Sequence, residues 1–133
     1  MAKFNFISGN IDEKSVLTNV FGNYVLNYST GFFSTADYKI MDNLVSITPI
    51  TEENKKSFIG KAGWGLVGGL ALGPVGMLAG LLAGGNKQYM CCAFEMLPSY
   101  RFVAEVEGST YYDLAKVAMK NAGKKSMFQY EES

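Results

Sequence analysis

From Tyr100 to Glu107 the chain alternates, with Phe102, Ala104 and Val106 set against Arg101, Val103, Glu105 and Glu107. A two-residue period sends successive side chains to opposite faces, so this run predicts a strand whose Phe102 row faces the core. Gln88 to Leu97 is a second strand-like run, and Pro98-Ser99 between the two predicts the turn of an antiparallel hairpin. Upstream, Lys3 to Ile7 reads as a short strand closed by Ser8-Gly9-Asn10. Asn23 to Tyr28 and Tyr38 to Thr48 carry the aromatic and β-branched residues of further strands, with Ser29-Thr30-Gly31 and Asp42-Asn43 as turn signals and Pro49 as a limit. Ile11 to Val20 reads as a short helix opened by Asp12 and Glu13. After the hairpin the period lengthens: Leu114, Val117, Ala118 and Met119 predict a helix from a Ser109 or Thr110 cap to about Ala122. Gly123 would end it, and Lys120, Lys124 and Lys125 suit its negative pole.

The polar stretch Thr51 to Lys56 leads into a segment of another kind. Residues 60 to 86 read GKAGWGLVGGLALGPVGMLAGLLAGGN, with ten glycines and Lys61 as their one charge. Gly65, Gly69 and Gly73 stand four apart, and after Pro74 so do Gly76, Gly80 and Gly84. On a helix turning about 100° per residue these six fall within an arc of roughly 100° and line one face. Six interior glycines cost roughly 5 kcal/mol relative to alanine, which close backbone approach between helices would have to offset. The segment resembles the glycine-zipper stretches of small bacterial and phage proteins and of several membrane-associated or pore-forming proteins. That resemblance covers residues 60 to 86 only; it implies tight helix association, with membrane contact as one common use, and carries no catalytic residue.

The uncharged run from Ala62 to Gly85 would extend about 36 Å as one helix, against a hydrocarbon core of about 30 Å. Gly73 and Pro74 divide it into two arms, because proline removes a backbone donor and restricts its predecessor. A single span would leave two flanks each too small to build much of a core, so a hairpin with both ends on one side is the expected form. Strands before and after it make the expected fold class α+β: one domain over residues 1 to 133, a small antiparallel sheet with a C-terminal helix and the glycine-rich helical hairpin inserted at 60–86. Trp64 at the entrance and Tyr89 beyond the exit suit interfacial anchors; burial of both against the sheet is the equal alternative.

Composition fits one core, at 48% hydrophobic residues in 133. Twelve basic and twelve acidic residues cancel, and Arg101 is the sole arginine, so no basic patch favours nucleic acid as a partner. There is no histidine, which removes the commonest general base and most zinc sites. The pairs Asp12-Glu13, Glu52-Glu53 and Glu131-Glu132, with Glu105 and Glu107, read as solvated charge rather than as catalysts. Adjacent Cys91 and Cys92 would point to opposite faces of a strand, which suits packing better than shared metal or redox duty. GWGLVGG lacks the Lys-Ser/Thr ending of a phosphate loop, and Tyr111 and Tyr112 read as packing or rim residues. No catalytic residue, metal or cofactor is therefore expected.

The amino-terminal MAKFNFISGN lacks the continuous apolar core of a secretory signal, and the expected location is cytoplasmic, with membrane association through the glycine segment. The functional expectation is a non-enzymatic homo-oligomer assembled through Gly65, Gly69, Gly73, Gly76, Gly80 and Gly84, in contact with a membrane surface or bilayer. The alternative is a soluble binding or inhibitory module, of the kind phages encode, acting on a host protein. Replacing Gly69 and Gly76 with leucine is expected to abolish assembly while the sheet stays folded; an unchanged mass in light scattering would count against the zipper.

Overall fold

A computed structural model describes residues 4–50 and 89–127. Their architecture is mostly antiparallel sheet with one long helix in the C-terminal part, which fits the α+β class. The elements are β1 (Phe4–Gly9), β2 (Val16–Val20), β3 (Asn23–Ser29), β4 (Thr35–Asp37), α1 (Ile40–Asn43), β5 (Leu44–Pro49), β6 (Tyr89–Met96), β7 (Tyr100–Glu107), α2 (Gly108–Lys120) and a 3-10 turn (Ala122–Met127). They form a four-stranded sheet in the order β1-β7-β6-β5 and a three-stranded sheet in the order β2-β3-β4. The predicted glycine-rich hairpin, with Gly65, Gly69, Gly73, Gly76, Gly80, Gly84 and Trp64, lies outside the described residues, as do the linker from Thr51 and the tail beyond Met127.

The β6–β7 hairpin forms where the alternation places it, running in register from Tyr89↔Glu107 to Met96↔Tyr100 around Pro98-Ser99. Phe94 and Phe102 are direct partners in that register, and their rings stack at 4.6 Å and 8°. Phe4 from β1 meets both edge-on at 6.3 and 6.0 Å. Over this row lie Tyr111, Leu114, Ala115 and Ala118 of α2, spaced as one helical stripe, together with Leu17, Tyr24 and Leu26 of the three-stranded sheet. Asn121, buried at the end of α2, donates from Nδ2 to the carbonyls of Met41 and Leu44, both at 3.0 Å, and so ties the helix to the start of β5.

Several expectations require correction. Residues Ile11 to Val20 are not helical. Asp12 closes a turn instead, its Oδ1 accepting from Lys14 N at 2.8 Å and its carbonyl from Ser15 N and Oγ, and Val16–Val20 is strand β2. Short polar side chains compete with the helix for backbone donors, while the Val, Leu, Thr, Asn, Val order suits a pleated surface. Tyr38 to Thr48 is not one strand: Lys39 takes a left-handed conformation, φ 53°, and α1 intervenes before β5. The long helix begins at Gly108 after an N-cap at Glu107, not at a Ser109 or Thr110 cap, and Thr110 is buried. Asn121, not Gly123, terminates it, and the chain continues into the 3-10 turn. Gly9 belongs to β1 rather than to a turn that follows it.

The second face of the four-stranded sheet also departs from a simple solvent row. Val103 and Ala93 are buried there beside Ile7, Ile50 and Cys91, while Cys92 faces the main core. Cys91 and Cys92 therefore sit on opposite faces, as expected. Alternation assigns residues to two faces without saying that only one will be covered.

Gly9 makes a close backbone approach to Phe102, its partner one pairing beyond the place where β1 shifts register against β7, between Phe6 and Ser8. Its φ is +142°, and an added Cβ would overlap Phe102 Cα and Cβ and the Arg101 carbonyl. Gly22, φ +86°, has open space around it. Gly9→Ala is expected to cost about 2 to 4 kcal/mol, combining overlap with conformational strain. Gly22→Ala should cost about 1 to 2 kcal/mol from conformation alone. Urea unfolding of the two variants checks the order; equal losses would contradict it.

Candidate interaction surface

Residues 15 to 36 contain no Asp, Glu, Lys or Arg, and they build the whole β2-β3 hairpin and most of β4. Leu17, Tyr24 and Leu26 face the core, so the opposite row, led by Val16, Thr18, Val20 and Val25, is an uncharged outer face. The β2-β3 turn is Phe21-Gly22, with φ values of 51° and 86°. Left-handed values at both centres suit a two-residue hairpin, and Asn19 Oδ1 accepts from Gly22 N at 2.9 Å. Phenylalanine is a costly occupant of that first position, where asparagine is commoner, and here its ring is fully exposed.

At the other end of β3, Phe32 and Phe33 are also fully exposed, their ring centroids 6.3 Å apart. The loop that carries them is closed by Thr30 N donating to Ser34 O at 2.9 Å and Ser29 Oγ donating to Gly31 O at 2.8 Å. Seven strand residues separate the two tips by about 20 Å. Three bare phenylalanines on a sheet whose one charged residue is Asp37, at the end of β4, form an apolar display of the kind that marks interaction sites. Sequence reasoning passed over Phe21, Phe32 and Phe33; the absence of charge from 15 to 36 is the signal that could have found them. Tyr89 opens β6 opposite Glu107 and is 49% exposed, so it is not buried against the sheet. The structure brings it to neither phenylalanine tip's strand pair: it belongs to the other sheet.

Polar chemistry is scattered elsewhere. Glu105 accepts from Asn5 Nδ2 at 2.9 Å at the surface. Glu95 is buried, with Oε2 accepting from Arg101 Nε at 3.1 Å and Oε1 without a hydrogen-bond partner. Tyr24 donates to Asp113 Oδ2 at 2.7 Å, bridging β3 and α2. Burial and then the Asp113 carboxylate push the Tyr24 phenol up to about 12. Tyr111 is fully buried with an unpartnered hydroxyl, and burial raises it to about 12 as well. Burial likewise pushes the Cys92 thiol up. Tyr112 is a rim residue whose ring lies 4.2 Å from Lys116 Nζ. Among the described residues no group of three Cys, Asp or Glu side chains could hold a metal ion, and no helix is long and apolar enough to cross a membrane. No protein-family model, curated protein or solved structure matches the chain.

The two raised phenols fix an alkaline limit. Each ionises near 12 when folded and near 10.0 when unfolded, so the unfolded chain loses those protons first. Their contribution is complete below pH 10 and is lost as pH rises through 12. Denaturant unfolding at stepped pH should show stability falling across that window, and a Tyr24→Phe, Tyr111→Phe double variant should fall less steeply. Tyr111→Phe alone, at neutral pH, should be neutral or stabilising by about 1 kcal/mol, since it removes an unsatisfied buried hydroxyl.

Proposed function

We propose that this chain is a non-enzymatic self-associating protein whose contacts run through charge-free surfaces, with residues 60 to 86 forming a glycine-zipper hairpin inserted between β5 and β6. The observation that supports the hairpin is where its ends lie. β5 and β6 are antiparallel neighbours, Pro49 opposite Cys92, and Ile50 N donates to Cys91 O at 2.9 Å. A segment that leaves and re-enters at one place on one sheet suits two arms folded on each other better than a single crossing from one side of a bilayer to the other. Gly65, Gly69, Gly73, Gly76, Gly80 and Gly84 then supply the contact between arms or between copies, and a membrane surface is the medium that would favour it. The cytoplasmic face of a membrane is the location this implies.

A second reading is favoured by a different observation. Phe32 and Phe33 stand bare on a closed loop, which suits insertion into the pocket of a host protein by a soluble binding or inhibitory module.

The deciding measurement is the mass of the full chain by light scattering with and without detergent, together with flotation on liposomes. Self-association predicts a multiple of the 14.5 kDa chain mass and co-flotation with vesicles. A chain that is monomeric in buffer and stays with the soluble fraction would refute that reading and favour the second.

A further inference from the structure

The two sheets end in four outer strands among the described residues, and three of them carry a device against pairing with another chain. β1 is bulged between Phe6 and Ser8. β5 is bulged between Leu44 and Ser46 and finishes at Pro49. β4 is three residues long and ends in Asp37. Short length, charge, proline and bulges are the usual protections of a sheet edge. β2 has neither charge, proline nor bulge: its five residues run in unbroken register from Val16↔Asn27 to Val20↔Asn23. Among the described residues β3 is its one strand partner. Val16 and Val20 are 38% and 46% exposed, and the bare Phe21 follows directly.

We infer that the open edge of β2 pairs antiparallel with β2 of a second copy, about a two-fold axis through Thr18. This rests on the self-association reading and assigns it a surface separate from the glycine segment. The strand reads Val16, Leu17, Thr18, Asn19, Val20, so its outer row is symmetric about Thr18. Antiparallel self-pairing sets Val16 opposite the partner subunit's Val20, and Thr18 opposite the partner subunit's Thr18. β-branched and Thr–Thr pairs are favourable across strands, and no like charges meet. An isologous contact needs such a self-complementary row. A charged peptide would find no complement on this edge, which favours the second copy over an acidic or basic strand as the occupant. Pairing over five residues is short, so the dimer is concentration-dependent, and Phe21 of each copy lies at the end of the paired strands, where it can cover the joined edge.

Two variants of the full chain test this. Thr18→Lys stays solvated in the single copy but opposes two like charges at the axis, and should weaken dimerisation at least about tenfold in sedimentation velocity. Thr18→Cys should cross-link efficiently with a short bis-maleimide, well above both the wild type, which reports background through Cys91, and Thr35→Cys on β4. Circular dichroism checks that each variant is folded, and the cross-link decides if Thr18→Lys is not. A wild type that is monomeric at every concentration overturns both the inference and the self-association reading. A wild type that associates, with no excess cross-linking at position 18, overturns the β2 edge alone and leaves self-association to the glycine segment.

Discussion

Everything described in this chain is arranged around one cross-strand pair. Phe94 and Phe102 face each other across β6 and β7 and stack at 4.6 Å, and that pair fixes the register of the central hairpin. Slipping either strand by one residue would turn the whole Phe94 and Phe102 rows away from the core. Phe4 closes one side, α2 lays Tyr111 and Leu114 over the row, and the second sheet brings Leu17 and Leu26. Apolar area of this amount is the main favourable term available to a chain of this size. The polar ties around it, Tyr24 to Asp113 and Asn121 to Met41 and Leu44, orient the layers at their rims.

Charge is distributed so that the two sheets behave differently. The four-stranded sheet carries Glu95 paired with Arg101 and Glu105 bonded to Asn5 on its second face. The three-stranded sheet carries no charge from Ser15 to Ala36, and its tips hold Phe21, Phe32 and Phe33 in the open. A surface without charge has little to keep an apolar neighbour away, and a strand edge without charge has little to refuse another strand. The glycine segment has the same character in sequence.

Legibility followed the physics of each element. The β6–β7 hairpin was readable because strict alternation and a Pro-Ser turn admit one answer, and the stripe Leu114, Ala118 marked the long helix. Asp12-Glu13 misled, because acidic residues open helices and also close turns, and local sequence does not choose between the two. The helix start misled similarly: Ser109 and Thr110 are good caps, yet packing of Tyr111 and Thr110 into the core carries the helix back to Gly108. Phe21, Phe32 and Phe33 were overlooked because aromatic residues are ordinarily core, and nothing in the order of residues says which phenylalanine will be left outside.

By itself, then, the sequence determined periodicity and neutrality: which runs alternate, which helix has one apolar stripe, where charge is absent, and where glycines repeat at helical spacing. These are properties of nearest neighbours along the chain. The tertiary structure alone decided that Ala93 and Val103 on the second face are buried as well, that Val16–Val20 becomes an outer strand, and that Phe21, Phe32 and Phe33 stay bare. Those outcomes depend on which layers meet, and meeting is settled by the summed burial of residues far apart in the chain.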